Sequence, residues 1–349
     1  MAVSESAFKE ALDEGALALV TNLTQDCSDV LLLLNALDLL ELVASTVGGA
    51  RYLAANGHLA GLLAAAGGGA GDASAPPDPL LGASALRALA RVLVKSAGVG
   101  LDVQNEVYPA LLGCFLHACT VHIAGRDEAG KLGGLVAASS LAEASTEALR
   151  AMLSDEQESS ELLDAWLTLS RHKVHEKAAA LHAVARVLGP PPRPSRPSLS
   201  VADEDEVMGN TAAAADREER SALVRRLFEQ LGVSNNGQIT GALLAGLARQ
   251  PVPEIQNAAY DVLRCTMWQP GGWGLRAVFS QPGFREFLED RDLEASKTGK
   301  EWKFSVVESV MQCQEKNILG QDMLDSFNKI LEQGPFWMPS KTRDVATLA

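Results

Sequence analysis

Apolar residues recur every three or four positions through most of this chain, and that spacing constrains its fold more than any other feature. Ile255, Ala258, Ala259, Val262, Leu263 and Met267 fall on one face of a 3.6-residue helix. Met323, Leu324, Phe327, Ile330 and Leu331 repeat the pattern, as do Ala178, Leu181, Val184, Ala185 and Leu188. Pro253 and Glu254 stand just before the first of these sets, where a first helical turn tolerates a missing N–H and favours a negative charge. Runs rich in Val, Ile, Thr and Tyr, the residues that strands prefer, are absent. Ala and Leu, which dominate, are among the best helix formers. The expected fold class is all-α.

Between the helical stretches lie short breaks at Gly48-Gly49, Asn56-Gly57, Gly98 to Gly100, Gly125, Gly232 to Gly237 and Pro270 to Gly272. Helices joined by short turns through a long chain predict an α-solenoid of armadillo/HEAT-like repeats. At roughly 40–47 residues per repeat the chain holds about seven or eight units. One unit reads in detail. An apolar helix over 30–47, expected to be buried between neighbours, ends at Gly48-Gly49. A short turn 50–55 follows, Asn56-Gly57 breaks it, and another helix begins at His58. Two stretches carry no helical signal. Residues 67–78 form a Gly-rich, then Pro-rich, loop. Residues 189–215 run from a Pro-rich segment into Asp203-Glu204-Asp205-Glu206 and then Ala212 to Ala215, and read as a flexible linker. The expected organisation is therefore N-terminal repeats over 1–188, this linker, and C-terminal helical repeats with a cap over 216–349.

Charge narrows the function. The 349 residues carry 30 Lys plus Arg against 44 Asp plus Glu, a net charge of −14. Nucleic acid and anionic membrane surfaces both need clustered cations, so neither is an expected partner. Cys27, Cys114, Cys119, Cys265 and Cys313 are scattered and odd in number, which suits reduced thiols in the cytosol or nucleus. The first fifteen residues carry four acids against Lys9 and read as neither a signal nor a transit peptide. No apolar run reaches the ~18 residues that cross a bilayer.

Candidate chemistry is sparse. Cys114, His117, Cys119 and His122 put four zinc-ligand types in nine residues. They lie on one predicted helix, where position 119 points away from 114 and 117, so a buried helix with a polar edge is the better reading. His172, His175 and His182 lack the H-E-x-x-H pattern, because His175-Glu176 runs on into Lys177-Ala178-Ala179. The Gly67–Gly71 run, Gly130-Lys131 and Gly299-Lys300 all lack the hydroxyl residue of a phosphate loop, and no G-x-S-x-G elbow exists. No catalytic, cofactor-binding or metal-ligating residue is assigned, and the chain is not expected to be an enzyme or to need a cofactor. Ser198 and Ser200 precede the acidic run, a context for acidic-directed phosphorylation, although a solvated spacer is the preferred reading. Trp268, Trp273, Trp302 and Trp337 gather late with Phe279, Phe284, Phe287, Phe304, Phe327 and Phe336, as core of the last repeats or as a partner surface.

One stretch carries a resemblance. Gln250-Pro-Val-Pro253-Glu254-Ile255, Gln269-Pro270, Trp273, Phe279, Pro282-Gly283-Phe284 and Leu288-Glu289-Asp290-Arg291 follow in order, and Leu331-Glu332-Gln333-Gly334-Pro335-Phe336-Trp337 comes before Pro339. This order resembles the C-terminal end of the 26S proteasome non-ATPase regulatory subunit 5 family. Asp29 to Leu63, with Gly49-Ala50-Arg51-Tyr52-Leu53, resembles an earlier armadillo-type repeat of that family, and Val174 to Pro192 resembles it faintly. Position 1 falls near the middle of the family pattern, and the family's earlier repeats have no counterpart here. The resemblance implies a chaperone for assembly of the proteasome regulatory particle, binding the C-terminal domain of a base-ring ATPase subunit and absent from the mature particle. Other regulatory-particle subunits are implied as further partners, and the cytoplasm, with the nucleus, as location. The partner-binding residues are left unassigned. The alternative is a generic armadillo adaptor binding another protein. An importin-like version is discounted, since the residues four after each Trp (Ser170, Gly272, Ala277, Val306 and Lys341) include no Asn.

Overall fold

Each apolar stripe named above lies in a helix. A computed structural model describes residues 5–17, 30–44, 46–55, 63, 79–98, 107–154, 157–189, 211–294 and 296–337. Among them every regular element is helical. Cys27, the helix expected from His58 (apart from Leu63), the 67–78 loop, and Ser198, Ser200 and the acidic run within 190–210 lie outside the described residues. Two compact units are present, the first taking in the helices up to Gln238 and the second those from Ile239 onward.

In the first unit the helices are α1 (Glu5–Asp13), α2 (Val30–Val43), α3 (Val47–Ala55), α4 (Pro79–Gly98), α5 (Val107–Ala124), α6 (Glu128–Ala144), α7 (Thr146–Met152), α8 (Gln157–Leu169), α9 (Val174–Leu188) and α10 (Thr211–Ser234). Helices α2, α4, α6 and α9 pack in succession, and α5, α8 and α10 do the same, with α5 also lying on α6. Two rows built by helices two or three places apart in the chain are what stacked helical repeats produce. The fold is all-α, of the armadillo/HEAT-like α-solenoid type. The core between the rows holds Leu86, Leu89, Phe115, Leu135, Trp166 and Leu181, all buried. Asp127 and Ser145 cap α6 and α7, accepting from the backbone N–H of Gly130 and Ala148.

Three local features differ from the sequence reading. The helix expected over 30–47 stops at Val43, and Gly48-Gly49 lie inside α3 rather than in a break. Thr46 is the cause. Its Oγ1 accepts from Gly49 N at 3.0 Å and donates to Val43 O, so one hydroxyl ends α2 and starts α3. The backbones approach so closely that a Cβ at Gly49 would lie 2.0 Å from Val43 O. Next, among the described side chains of α2, Ala36, Leu37 and Leu40 are buried while Leu32, Leu39 and Leu42 are exposed, whereas burial on most sides was expected. Finally, a helix begins at Thr211, inside the stretch read as linker, because Ala212 to Ala215 extend it toward the N-terminus. That helix belongs to the first unit. Arg150 holds Glu219 through two bonds of 2.5 and 2.8 Å, and Arg220 donates to the terminal carbonyls Ala142 O and Glu143 O of α6.

The second unit comprises α11 (Thr240–Leu247), α12 (Pro253–Met267), a 3-10 turn (Pro270–Gly272), α13 (Trp273–Phe279), α14 (Phe284–Glu289), α15 (Lys297–Gln312), a second 3-10 turn (Lys316–Ile318) and α16 (Gln321–Gln333). Helix α12 lies along α15, and α15 along α16. Phe279 meets Phe284 edge-on at 5.4 Å and Phe327 at 6.0 Å, which ties α13, α14 and α16 together. No helix among the described residues is long and apolar enough to cross a membrane.

Candidate functional site

The residues weighed for metal or phosphate chemistry do not converge. On α5, Cys114 and His117 are exposed while Cys119 is buried, its thiol pushed up by that burial. His122 turns toward α4 and α6, close to Gly82 and Gly130. Among the described residues no group of three or more His, Cys, Asp or Glu is placed to hold a metal ion. His172, His175 and His182 are exposed. Glu176 is buried and is bound by Lys131 from α6 at 2.8 Å, so the charges of two weighed motifs neutralise each other.

A different site emerges in the second unit. The chain between α14 and α15 folds over α12 and carries Glu294, only 4 % exposed. Glu294 Oε1 accepts from Tyr260 Oη at 2.5 Å and from Gln256 Nε2 at 2.7 Å, both on α12. Burial and the bond to Glu294 together push the Tyr260 hydroxyl above its ordinary range. Glu294 Oε2 sits above Gly299, where a Cβ would come within 2.5 Å of it. Lys303 from α15 is 6 % exposed and donates to Asp290 O at 2.5 Å, with its ammonium 4.7 Å from the Phe287 ring. Arg249 stands 4.6 Å from the same ring.

Glu294 and Lys303 both line an open cleft of about 320 Å³, its solvent mouth included. Leu288, Phe304, Val307 and Ile330 give it an apolar floor, and Asp290, Arg291 and Lys300 add charge at its sides. Pro335 closes one edge. The two residues after it, Phe336 and Trp337, are 48 % and 42 % exposed. Lys297 lies 5.6 Å from the Phe336 ring and Arg291 6.0 Å from the Trp337 ring. Arg291 also donates to Gly334 O and Ile330 O, which fixes this rim against α16. A buried carboxylate and a buried ammonium thus stand beside an apolar floor in one cleft.

Sequence reading singled out neither Glu294 nor Lys303. A signal existed for Lys303: it shares the helical face of Val306, Val307 and Val310, where a charge is out of place. Glu294 lies in a non-helical segment and has no periodicity to betray it.

Burial holds the Lys303 ammonium at a pKa of about 8, below its unfolded value near 10.4. A lowered lysine pKa means the unfolded state holds more protons between the two values, so stability rises with pH across that window. The contribution between pH 7.5 and 9.5 is about 2 kcal/mol. Urea titrations should therefore show wild type gaining this much relative to Lys303→Met over that range. A constant difference between the two proteins would contradict a desolvated ammonium.

Residues 210–348 match the family model described as "Proteasome non-ATPase 26S subunit", and this stretch contains the whole cleft. The chain is 30 % identical over 97 residues to the 26S proteasome non-ATPase regulatory subunit 5 of Bos taurus, covering 28 % of this chain and 19 % of that protein. Over 108 residues it is 32 % identical to the Mus musculus protein of the same name, covering 31 % and 20 %. The matches thus span about a fifth of the length of these relatives. Among solved structures, a designed armadillo repeat protein in complex with the peptide (KR)4 is similar with a TM-score of 0.46 at 15 % identity, over 84 % of this chain and 98 % of that one. An engineered protein gives 0.46 at 16 %, over 84 % and 94 %.

Proposed function

We propose that this chain is a non-catalytic binding protein acting in assembly of the proteasome regulatory particle, and that it engages the C-terminal domain of a base-ring ATPase subunit before the mature particle forms. The observation that carries the reading is the family match over 210–348, which takes in every helix of the second unit. Stacked helices suit the task. They present side chains from many successive turns to a folded partner and need no bound cofactor. Occupying an ATPase C-terminal domain keeps that surface from premature contacts. Release follows when another surface competes for it or when the partner changes to a conformation of lower affinity. On this reading the protein works in the cytoplasm and nucleus, where proteasomes assemble.

Affinity purification of the tagged full chain, followed by mass spectrometry, tests the proposal. The expected result is recovery of a base ATPase at close to one-to-one stoichiometry, with proteolytic core subunits depleted. Recovery of no base ATPase by the folded chain would refute it.

A further inference from the structure

The turn that ends α10 carries a reactive pair of residues. Asn-Gly occurs twice in the sequence, and of the two pairs Asn236-Gly237 lies among the described residues. Both of its residues are exposed. Asn236 has a φ of 65°, a left-handed backbone that Asn tolerates better than most side chains do. Gly237 follows at 66°, and nothing lies within 4 Å of a Cβ placed on it. The main-chain nitrogen after an Asn attacks the carboxamide carbon once it has lost its proton. A side chain on the following residue hinders that approach, and Gly237 has none. One contact holds the reaction back. Gly237 N–H donates to Val233 O at 3.0 Å and closes the last turn of α10. The nitrogen is released only when that turn opens, an inexpensive event at a helix end. Beside it, Asn235 is 8 % exposed and its Nδ2 donates to Leu231 O and to Ser170 Oγ, both at 2.7 Å. The turn therefore ties α10 to the end of α8.

We infer that Asn236 is a site of spontaneous deamidation, gated by the last turn of α10, and that the product weakens the tie to α8. Gly237 N gives its proton to solvent base and bonds to Asn236 Cγ. The carboxamide nitrogen leaves as ammonia, and a succinimide ring remains. Water then adds to one of the two ring carbonyls and breaks that carbonyl's bond to nitrogen. Opening at the main-chain carbonyl leaves isoaspartate, with the chain running through the side chain; opening at the other leaves aspartate. The sum is one water consumed and one ammonia released, with no change of oxidation state. The new carboxylate stands at the C-terminal end of α10, where the helix dipole disfavours negative charge. Isoaspartate also lengthens the main chain by a methylene next to Asn235. The reaction needs no partner and stands apart from the function proposed above.

Incubation of the full chain in mildly alkaline, ammonium-free buffer, followed by peptide mass spectrometry with electron-transfer fragmentation, tests the inference. The expected product is replacement of NH2 by OH at Asn236, with isoaspartate exceeding aspartate. A synthetic peptide of residues 234–240 sets the ungated rate, and the folded chain should react about tenfold more slowly, the effect of opening one terminal turn. Urea below the unfolding transition should narrow that gap. Asn236→Gly accepts the left-handed backbone without strain and should abolish the mass change in this turn. Hydrogen exchange at the end of α10 should quicken in the deamidated chain. An unreacted Asn236 after the peptide has fully converted, or a folded-chain rate equal to that of the peptide, would overturn the inference. So would the same mass change in Asn236→Gly, which would place the reaction at Asn235, or exchange that is unaltered after full conversion.

Discussion

Replacing Gly274 by Ala should cost about 3 kcal/mol or more, the top of the range for overpacking a tight interior. Gly274 is buried at the start of α13, and a Cβ there would lie 1.9 Å from Thr266 O and 2.9 Å from Thr266 Cγ2. The carbonyl cannot give way easily. Thr266 is fully buried near the end of α12, its Oγ1 donates to Val262 O at 2.7 Å, and its own carbonyl accepts from Gln269 N. Helix α12 is in turn pinned along α15. The methyl group must therefore push α13 off α12 and disturb the core that holds Phe279. Gly246→Ala is the control, because nothing lies within 4 Å of a Cβ there and its backbone is helical. That change should stabilise by about 0.5 kcal/mol through the unfolded chain. Tryptophan fluorescence during urea unfolding reads both, since four of the five Trp lie in this unit. Equal midpoints for the two variants would show that α12 and α13 separate freely.

Such a contact explains why the sequence was legible at one level and silent at another. Helix α12 was readable because its stripe of Ile255, Ala258, Ala259, Val262, Leu263 and Met267 is periodic, and all six are buried. Pro253 marked its first turn. Where a hydroxyl or a backbone contact decides, periodicity says nothing. Thr46 divides α2 from α3 although the surrounding residues read as one helix running into glycines. The aromatic gathering was visible, but its division was not. Phe284, Phe287 and Phe327 are core while Phe336 and Trp337 are exposed, and that depends on which helix lies opposite each of them. The candidate cleft was hidden for the same reason. Glu294 meets Gln256 and Tyr260 only because the chain entering α15 returns along α12, a non-local event with no signature in either segment.

Lys131 and Glu176 belong to the same class of long-range pairing, and breaking it should have the other large effect. Lys131 Nζ bonds Glu176 Oε1 at 2.8 Å, and His172 Nδ1 stands 3.3 Å from Oε2. The pair joins α6 to α9, both partners being largely buried. The bond from Lys131 draws the Glu176 pKa below the ordinary carboxylate range, against the desolvation that would raise it. A folded pKa below the unfolded one means the stabilisation is complete above the unfolded value, near 4.3. It is lost as pH falls through the folded value. Glu176→Ala at pH 7 should cost about 3 kcal/mol, because it strands the Lys131 ammonium in a largely buried position. The cost should shrink in acid, where wild type has lost the same charge. Lys131→Met combined with Glu176→Leu should cost much less than the sum of the two single changes, since apolar replacement of a buried pair is often near neutral. Hydrogen exchange of the amides of α9, compared between pH 7 and the acid range, measures both quantities. Strict additivity in the double variant would mean that the two helices are held by their apolar contacts alone, with the ion pair adding nothing.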